Sequence, residues 1–400
     1  MCINIEKKRV VLACGSAFYR EGDRVWLPPI EWKSLRQWWD FIPELVLAKP
    51  ELVADSIPNG WLEVPSGVEV RRLCFSGAGR LKRKRATIRA AEELLAVGDV
   101  LMARMPYYET LWCYQVASRK GIPHFVEIHG DWESAVLEEG SDSPFRVLTR
   151  RYRAACNRKS QLDMTAKALF VLCIGPRLAE KYVPPAVPSL ATTNHLLEKS
   201  DYKERFNFSL KSPPRILFVG DIQQRKGLLD LFSALRILKV EGRQFEMTMV
   251  GTGPLMEQLV TYSVENGFDK DVTFPGRIAH GQALYDYFRA ADIFVLPSVA
   301  AEGVPRVTHE AMAFGCPVIA TDIGSVSWQL DKSAGIVVPP GEPKELASAI
   351  SMLLDDIDLR SSLSAQGFQR SLEFSYEDQK KAIASFVTEH LYKVSETLVR

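Results

Sequence analysis

Arg215-Ile-Leu-Phe-Val-Gly-Asp-Ile-Gln-Gln-Arg-Lys-Gly227 reads as a strand, a polar loop and the start of a helix. Ile216 to Val219 form a short, unbroken apolar run, the pattern of a strand buried on both faces. Gly220 opens the loop, and residues 227–240 then carry apolar side chains at helical spacing. A strand that yields to a helix through a glycine loop is half of a βαβ unit, and such units build parallel sheets. Unpaired N–H groups and the helix dipole make this junction suitable for an anion. Arg225 and Lys226 would add formal charge for a phosphate; the competing reading is a pair of solvated basic residues.

The pattern repeats along the chain. Short apolar runs at 10–13, 100–103, 124–128, 169–173, 246–250, 272–274, 293–296 and 317–320 alternate with helix-like stretches such as 254–266 and 282–290. Buried strands alternating with helices predict an α/β fold with parallel sheets. A length of 400 residues exceeds one ordinary core, so two domains are expected. The polar segment that ends in Pro213-Pro214 marks the boundary, giving domains at 1–200 and 201–375. A last amphipathic segment, 376–400, is expected to be a helix that packs back on the N-terminal domain.

Bulk chemistry narrows the class. A net charge of +1 argues against a polyelectrolyte partner such as nucleic acid. The seven cysteines are odd in number and form no Cys-x-x-Cys pair, which suits free thiols in a reducing compartment better than disulfides or zinc. No apolar run reaches the length of a membrane span, and the N-terminus reads as a first strand. A cytoplasmic enzyme is the expectation.

Two further stretches carry candidate chemistry. Met249-Val-Gly-Thr-Gly253-Pro ends one strand and starts a helix, although a lone Gly-x-Gly is a weak signal. Ala291-Asp-Ile-Phe-Val-Leu-Pro-Ser298 is a strand, followed by Glu302-Gly-Val-Pro-Arg-Val-Thr-His-Glu310-Ala-Met-Ala-Phe-Gly315-Cys-Pro-Val-Ile-Ala320. Ligands of open α/β sheets gather beyond the carboxyl ends of the strands, where Glu302 and Gly303 fall. With Pro305 at an early helical position, Glu310 stands about one and a half turns inside the helix. Read alone, Glu302 is equally a helix N-terminal acid and Glu310 a salt-bridge partner.

Taken together, these stretches resemble retaining glycosyltransferases of family 4. The likeness lies in Glu302-x7-Glu310 with its Gly315-Cys-Pro-Val-Ile-Ala sequel, Phe-Val-Gly…Arg-Lys-Gly, Val-Gly-Thr-Gly-Pro, Val-Thr-Phe-Pro-Gly276 and Ala334-Gly-Ile-Val-Val-Pro-Pro-Gly341. The resemblance implies the GT-B fold, two Rossmann-like domains with parallel sheets facing a central cleft. It implies a nucleotide-diphosphate sugar donor, UDP- or GDP-linked, held mainly by the C-terminal domain. Glu310 would then bind the ribose, Glu302 would lie beside the donor sugar, and Lys226 with Arg225 would neutralise the diphosphate. Backbone of Gly303, Val304, Pro305 and Arg306 would touch sugar and diphosphate, with Gly220 and Gly253 in the neighbouring loops, and Arg277 and Ile278 would meet the base. Lys226, Arg225 and helix amides stand in for a cation, so neither metal nor cofactor is expected. One residue departs from the pattern: Asp221 occupies a position where the family usually has arginine. Either it points away and Arg225 or Arg306 takes over, or donor binding is impaired.

The first half matches more loosely. Pro123-His-Phe-Val-Glu-Ile-His129-Gly-Asp131 resembles the family's strand ending in a histidine beside the donor sugar, and the loop at Gly15 would lie near diphosphate or acceptor. A structural role for His129 competes with that. Trp26, Trp32, Trp38, Trp39 and Phe41 serve either a core or an interface with lipid or an acceptor tail. The block from Arg71 to Arg89 holds eight basic residues and no acid, either a solvated face or a contact for an anionic membrane. The expected function is a retaining, metal-independent transfer of sugar to a glycan or polyprenyl-diphosphate-linked acceptor in bacterial surface polysaccharide synthesis. That places the protein in the cytoplasm, on the inner face of the plasma membrane. The rivals are an epimerase or phosphorylase of the same fold, and a degenerate partner subunit of an assembly complex.

Overall fold

The computed structural model describes residues 8–137, 143–300, 303–331 and 333–397. The chain forms two compact units, residues 1–196 with 380–400 and residues 197–379.

The N-terminal unit runs β1 (Val10–Ala13), β2 (Tyr19–Glu21), β3 (Arg24–Leu27), α1 (Pro29–Arg36), β4 (Leu45–Glu51), β5 (Leu62–Glu63) and β6 (Glu69–Phe75). It continues through α2 (Arg80–Leu94), β7 (Val100–Met105), α3 (Tyr108–Arg119), β8 (His124–Ile128), α4 (Trp132–Leu137), α5 (Pro144–Ala166), β9 (Val171–Ile174), α6 (Pro176–Tyr182) and β10 (Ser189–Thr192). Seven of these strands form one parallel sheet in the order β10-β9-β8-β7-β1-β4-β6. β2, β3 and β5 make a small antiparallel sheet.

β4 and β6 are not among the apolar runs singled out in the sequence. In β4, Lys49 and Pro50 interrupt the apolar pattern although the Lys49 side chain is wholly buried. β6 is an edge strand whose Arg71 and Arg72 face solvent. The tryptophan-rich stretch resolves in favour of core. Trp38 is fully buried beside Phe41, and Trp32 and Trp39 pack against the same cluster.

The C-terminal unit holds β11 (Arg215–Val219), α7 (Leu228–Val240), β12 (Glu246–Val250), α8 (Met256–Glu265), β13 (Val272–Gly276), α9 (Gln282–Ala290) and β14 (Ile293–Leu296). There follow α10 (Arg306–Ala313), β15 (Val318–Thr321), α11 (Val326–Leu330), β16 (Ile336–Val338), α12 (Pro343–Asp355) and α13 (Ile357–Leu372). Its six strands are all parallel, in the order β13-β12-β11-β14-β15-β16. α7 buries Leu228, Leu231, Phe232, Leu235 and Leu238, a stripe at helical spacing that fastens it to the sheet core. α14 (Tyr376–Thr397) closes the described chain, and its Ile383, Val387 and Leu391 lie in the core of the N-terminal unit.

Both sheets are doubly wound. In each, the first strand is central and the chain goes first to one side and then to the other, so the strand order reverses at β1/β7 and at β11/β14. Loops diverge at such switch points and leave a crevice beyond the carboxyl ends of the strands.

Candidate functional site

At the β11/β14 switch point, glycines let the loops touch. Gly227 adopts φ +63°, and a Cβ there would run into the Pro297 carbonyl oxygen. The Val299 N–H donates to the Arg225 carbonyl at 2.9 Å, so the basic turn Gln224–Lys226 is pressed against the loop leaving β14. Gly251 and Gly253 do the same between neighbouring loops, where a Cβ would strike the carbonyl oxygens of Gly220 and Ile222. The Ile222 N–H donates to Thr252 at 2.9 Å and the Gly220 N–H to Val250 at 3.0 Å. Lys226 is buried within this backbone wall, Arg225 is half-buried and Asp221 is exposed. The Asp221 carbonyl accepts from the Gln223 N–H at 3.0 Å.

The start of α10 is fixed from behind. The Pro305 carbonyl accepts from Thr308 Oγ1 at 2.8 Å and from Gln329 Nε2 at 3.0 Å, and the Ser325 N–H donates to Gly303 at 2.9 Å. Pro305, at the N-cap, has no polar side chain with which to cap the helix, and its first residue is Arg306, a cation set against the dipole. An anion in front of this turn would suit both the N-terminal amides and Arg306. Gly303 and Arg306 are half-exposed here, while Val304 and Pro305 are buried.

Glu310 stands further along α10, only 5% exposed, with Oε1 3.2 Å from His280 Nε2. His280 comes from the loop after β13, its ring edge-on to Tyr285, whose phenol burial pushes well above its ordinary range. Arg277 in the same loop is exposed and Ile278 packs partly on the core. Glu302 lies outside the described residues, so the structure places only the second glutamate of the pair. Among the described residues no three His, Cys, Asp or Glu side chains gather as a metal cluster.

The N-terminal unit has its own polar cluster at the β1/β7 switch point. Strand register, carried one residue past the end of β1, sets Lys49, Cys14, Arg104 and Glu127 side by side across β4, β1, β7 and β8. All four are buried, on the face that is otherwise apolar. Lys49 Nζ bonds Ser16 Oγ at 2.8 Å and pairs with Glu31 of α1, and Arg104 Nε bonds Glu127 Oε2 at 2.6 Å. His129 is half-buried just past β8, with Nε2 3.1 Å from Glu127 Oε1. Burial alone would raise the Glu127 carboxyl, but the Arg104 and His129 charges overcome it and hold the group at about 2. Gly15 lies against the ring of Tyr107, leaving no room for a Cβ. Burial, with Cys14 and Glu31 nearby, pushes that phenol up to about 12.

Sequence reasoning singled out His129, Gly15, Lys226 and Glu310 but not their supports: Glu127, Arg104, Lys49, His280 and Gln329. The signal for three of them was present. Each is a charge set at the carboxyl end of an apolar run, as in LVLAKPE, VLMARM and HFVEI.

A doubly wound parallel sheet with a basic turn at its switch point defines a Rossmann-like α/β unit. Residues 213–356 match the family model of glycosyl transferases group 1. The chain is 28% identical over 214 residues to an amylovoran biosynthesis glycosyltransferase of Erwinia amylovora, covering 52% of each. It is 32% identical over 157 residues to a putative teichuronic acid biosynthesis glycosyltransferase of Bacillus subtilis, covering 38% of this chain and 36% of that one. The chain thus spans about half the length or less of these curated relatives. Among solved structures, it resembles Anabaena HepE in complex with UDP at a TM-score of 0.67 and 16% identity, over 95% of this chain and all of that one. It resembles a sucrose-phosphate synthase from Thermosynechococcus elongatus at 0.71 and 19% identity, over 97% of this chain and 100% of the other. At such identities the likeness establishes the fold, which is GT-B.

Proposed function

We propose that the protein is a retaining glycosyltransferase that moves a sugar from a UDP- or GDP-sugar to a glycan or polyprenyl-diphosphate-linked acceptor in surface polysaccharide synthesis. The observation that carries this is the β11/β14 switch point, where the turn of buried Lys226 and half-buried Arg225 is bonded to the loop that leaves β14 ahead of α10. The named activities of the relatives, amylovoran and teichuronic acid biosynthesis among them, support the acceptor class. HepE, a structural relative, is described in complex with UDP and with UDP-glucose, which supports the donor class.

In this reading the bond from the anomeric carbon to the diphosphate oxygen breaks while the acceptor oxygen bonds on the same face. The acceptor proton passes to the leaving phosphate. The protein's contribution is positioning and charge stabilisation. Glu310, oriented by His280, holds the ribose hydroxyls, and Arg277 and Ile278 meet the base. Lys226, Arg225 and the amides of Gly303 to Arg306 take the diphosphate, with the loops of Gly220 and Gly253 behind them. Glu302 is assigned to the donor sugar. His129 is assigned to the same sugar, steadied by Glu127, and the Gly15 loop to the acceptor side. No metal is needed, so chelation should leave transfer intact.

Calorimetry with a panel of UDP- and GDP-sugars tests this. One donor should bind, Glu310→Ala should weaken it by about tenfold or more, and Lys226→Ala should lower transfer at least as much. Wild-type binding and turnover in both variants sinks the assignment. Exposed Asp221, an acid where a diphosphate-binding arginine is expected, favours a second reading as a donor-blind partner subunit. Failure of every nucleotide sugar to bind would support that one instead.

A further inference from the structure

α5 is a 23-residue helix with two unlike faces. Val147, Arg150, Ala154, Asn157 and Gln161, at alternating spacings of three and four, turn toward the rest of the unit and are half-buried or buried. On the opposite side, Phe145, Leu148 and Tyr152 share one face by the same spacing and are 74%, 67% and 74% exposed. Single exposed apolar side chains are ordinary, but here three align on one helix face over two turns, and no described residue covers them. Exposed Arg146 and half-buried Arg153 lie to one side of this stripe, and Arg151 and Arg158, the latter 3.8 Å from Glu133 of α4, to the other. From Pro144 to Leu162 the sequence holds six basic residues and no acid.

An apolar stripe edged by arginines on both sides matches the cross-section of a bilayer interface, with acyl chains beneath and anionic headgroups around. A protein partner would need acids arrayed on both flanks of an apolar groove; an anionic membrane offers that arrangement everywhere. The neighbouring surface has the same sign. Of the basic block on β6 and α2, Arg71, Arg72, Arg83 and Arg89 bond acids of this chain, whereas Arg80, Lys82, Lys84 and Arg85 form no ion pair among the described residues. Arg80 lies over the Tyr108 ring at 4.1 Å, and the Tyr108 hydroxyl bonds Asn157 of α5 at 3.3 Å. The start of α2 and the inner face of α5 therefore meet through one tyrosine. α2 also opens with three basic residues in its first four and no acid in its first turn, against its own dipole.

We infer that α5 is a membrane-docking helix: Phe145, Leu148 and Tyr152 enter the headgroup region of an anionic bilayer, with the basic start of α2 as an electrostatic support. The inference stands apart from sugar transfer, because vesicle binding needs no donor.

Sedimentation of the full chain with vesicles tests it. Binding is expected to vesicles of phosphatidylcholine with phosphatidylglycerol, not to phosphatidylcholine alone, and should weaken in high salt. Replacing Phe145, Leu148 and Tyr152 together by serine should weaken vesicle binding about tenfold or more. These side chains are exposed, so the thermal midpoint and nucleotide-sugar binding should hold. An environment-sensitive fluorophore on exposed Cys156, four residues beyond Tyr152, should shift to the blue on binding in a Cys2→Ser background. Absence of binding to anionic vesicles overturns the inference. So does binding that the triple variant retains in full, which would leave α2 acting alone. A dimer in light scattering that the triple variant converts to monomer would assign the stripe to a second copy, and overturns it as well.

Discussion

Gly227 shows how much of the site rests on single backbone positions. Its left-handed φ alone costs an L-residue about 1–2 kcal/mol, and a Cβ would also collide with the Pro297 carbonyl oxygen. Gly242 has a similar φ of +76° but open space around its missing Cβ. Gly227→Ala should therefore destabilise the protein clearly more than Gly242→Ala, by at least about 2 kcal/mol against about 1 in urea titrations. It should also weaken nucleotide-sugar binding, which Gly242→Ala should leave alone. Equal effects would show that the contact between the two loops gives way cheaply. Such glycines are legible in a sequence because a tight βα turn demands them. The row Lys49, Cys14, Arg104 and Glu127 was not, because its members meet only through the register of four strands distant in sequence. His280 and Glu310 are likewise thirty residues apart and joined by one 3.2 Å contact.

At the scale of elements, α10 has a buried underside as demanding as its exposed start. His309 is fully buried beside Glu310, with Nε2 3.0 Å from the Ser371 carbonyl and 2.9 Å from the Tyr202 hydroxyl. Burial lowers its pKa from 6.5 to about 4, more than its backbone bond can offset. The unfolded chain then takes up a proton near 6.5 that the folded one refuses until about 4. His309 leaves stability unaffected above that window and removes it as pH falls through it, by on the order of 3 kcal/mol. Urea midpoints between pH 7 and pH 4 should fall more steeply in the wild type than in His309→Gln; parallel slopes would refute the burial argument. Glu127 acts lower, between 4.5 and about 2, where its ion pair with Arg104 is lost. Helices were read well where periodicity was unbroken: residues 282–290 are α9 to the residue. Strands were read at most of the apolar runs; the charged edge strand β6 was missed, and so were β4, β10 and β16, whose short apolar stretches did not stand out.

For the whole molecule the path of the chain matters, since the last helix starts in one unit and ends in the other. The Tyr376 N–H bonds the Leu197 carbonyl at 3.0 Å, within the C-terminal unit. From residue 380 the chain belongs to the N-terminal unit, where Lys380 pairs with Asp40 and Phe386 packs edge-on to Phe170. Ile383, Val387 and Leu391 recur every four residues and are nearly inaccessible, 4%, 1% and 1% exposed. Burying three such side chains contributes about 5–9 kcal/mol, comparable with the whole net stability of a typical domain. Ending the chain at Gln379 should therefore cripple the N-terminal unit, although the deleted segment is remote in sequence from β1, β7 and β8. Hydrogen exchange read strand by strand would separate the two units. The amides of β1, β7 and β8 should lose protection, while those of β11, β12 and β14, whose core contains no residue beyond 379, should keep it. Protection retained in β1 would mean that the remaining core repacks without α14. Protection lost in β11 as well would mean that the two units unfold as one.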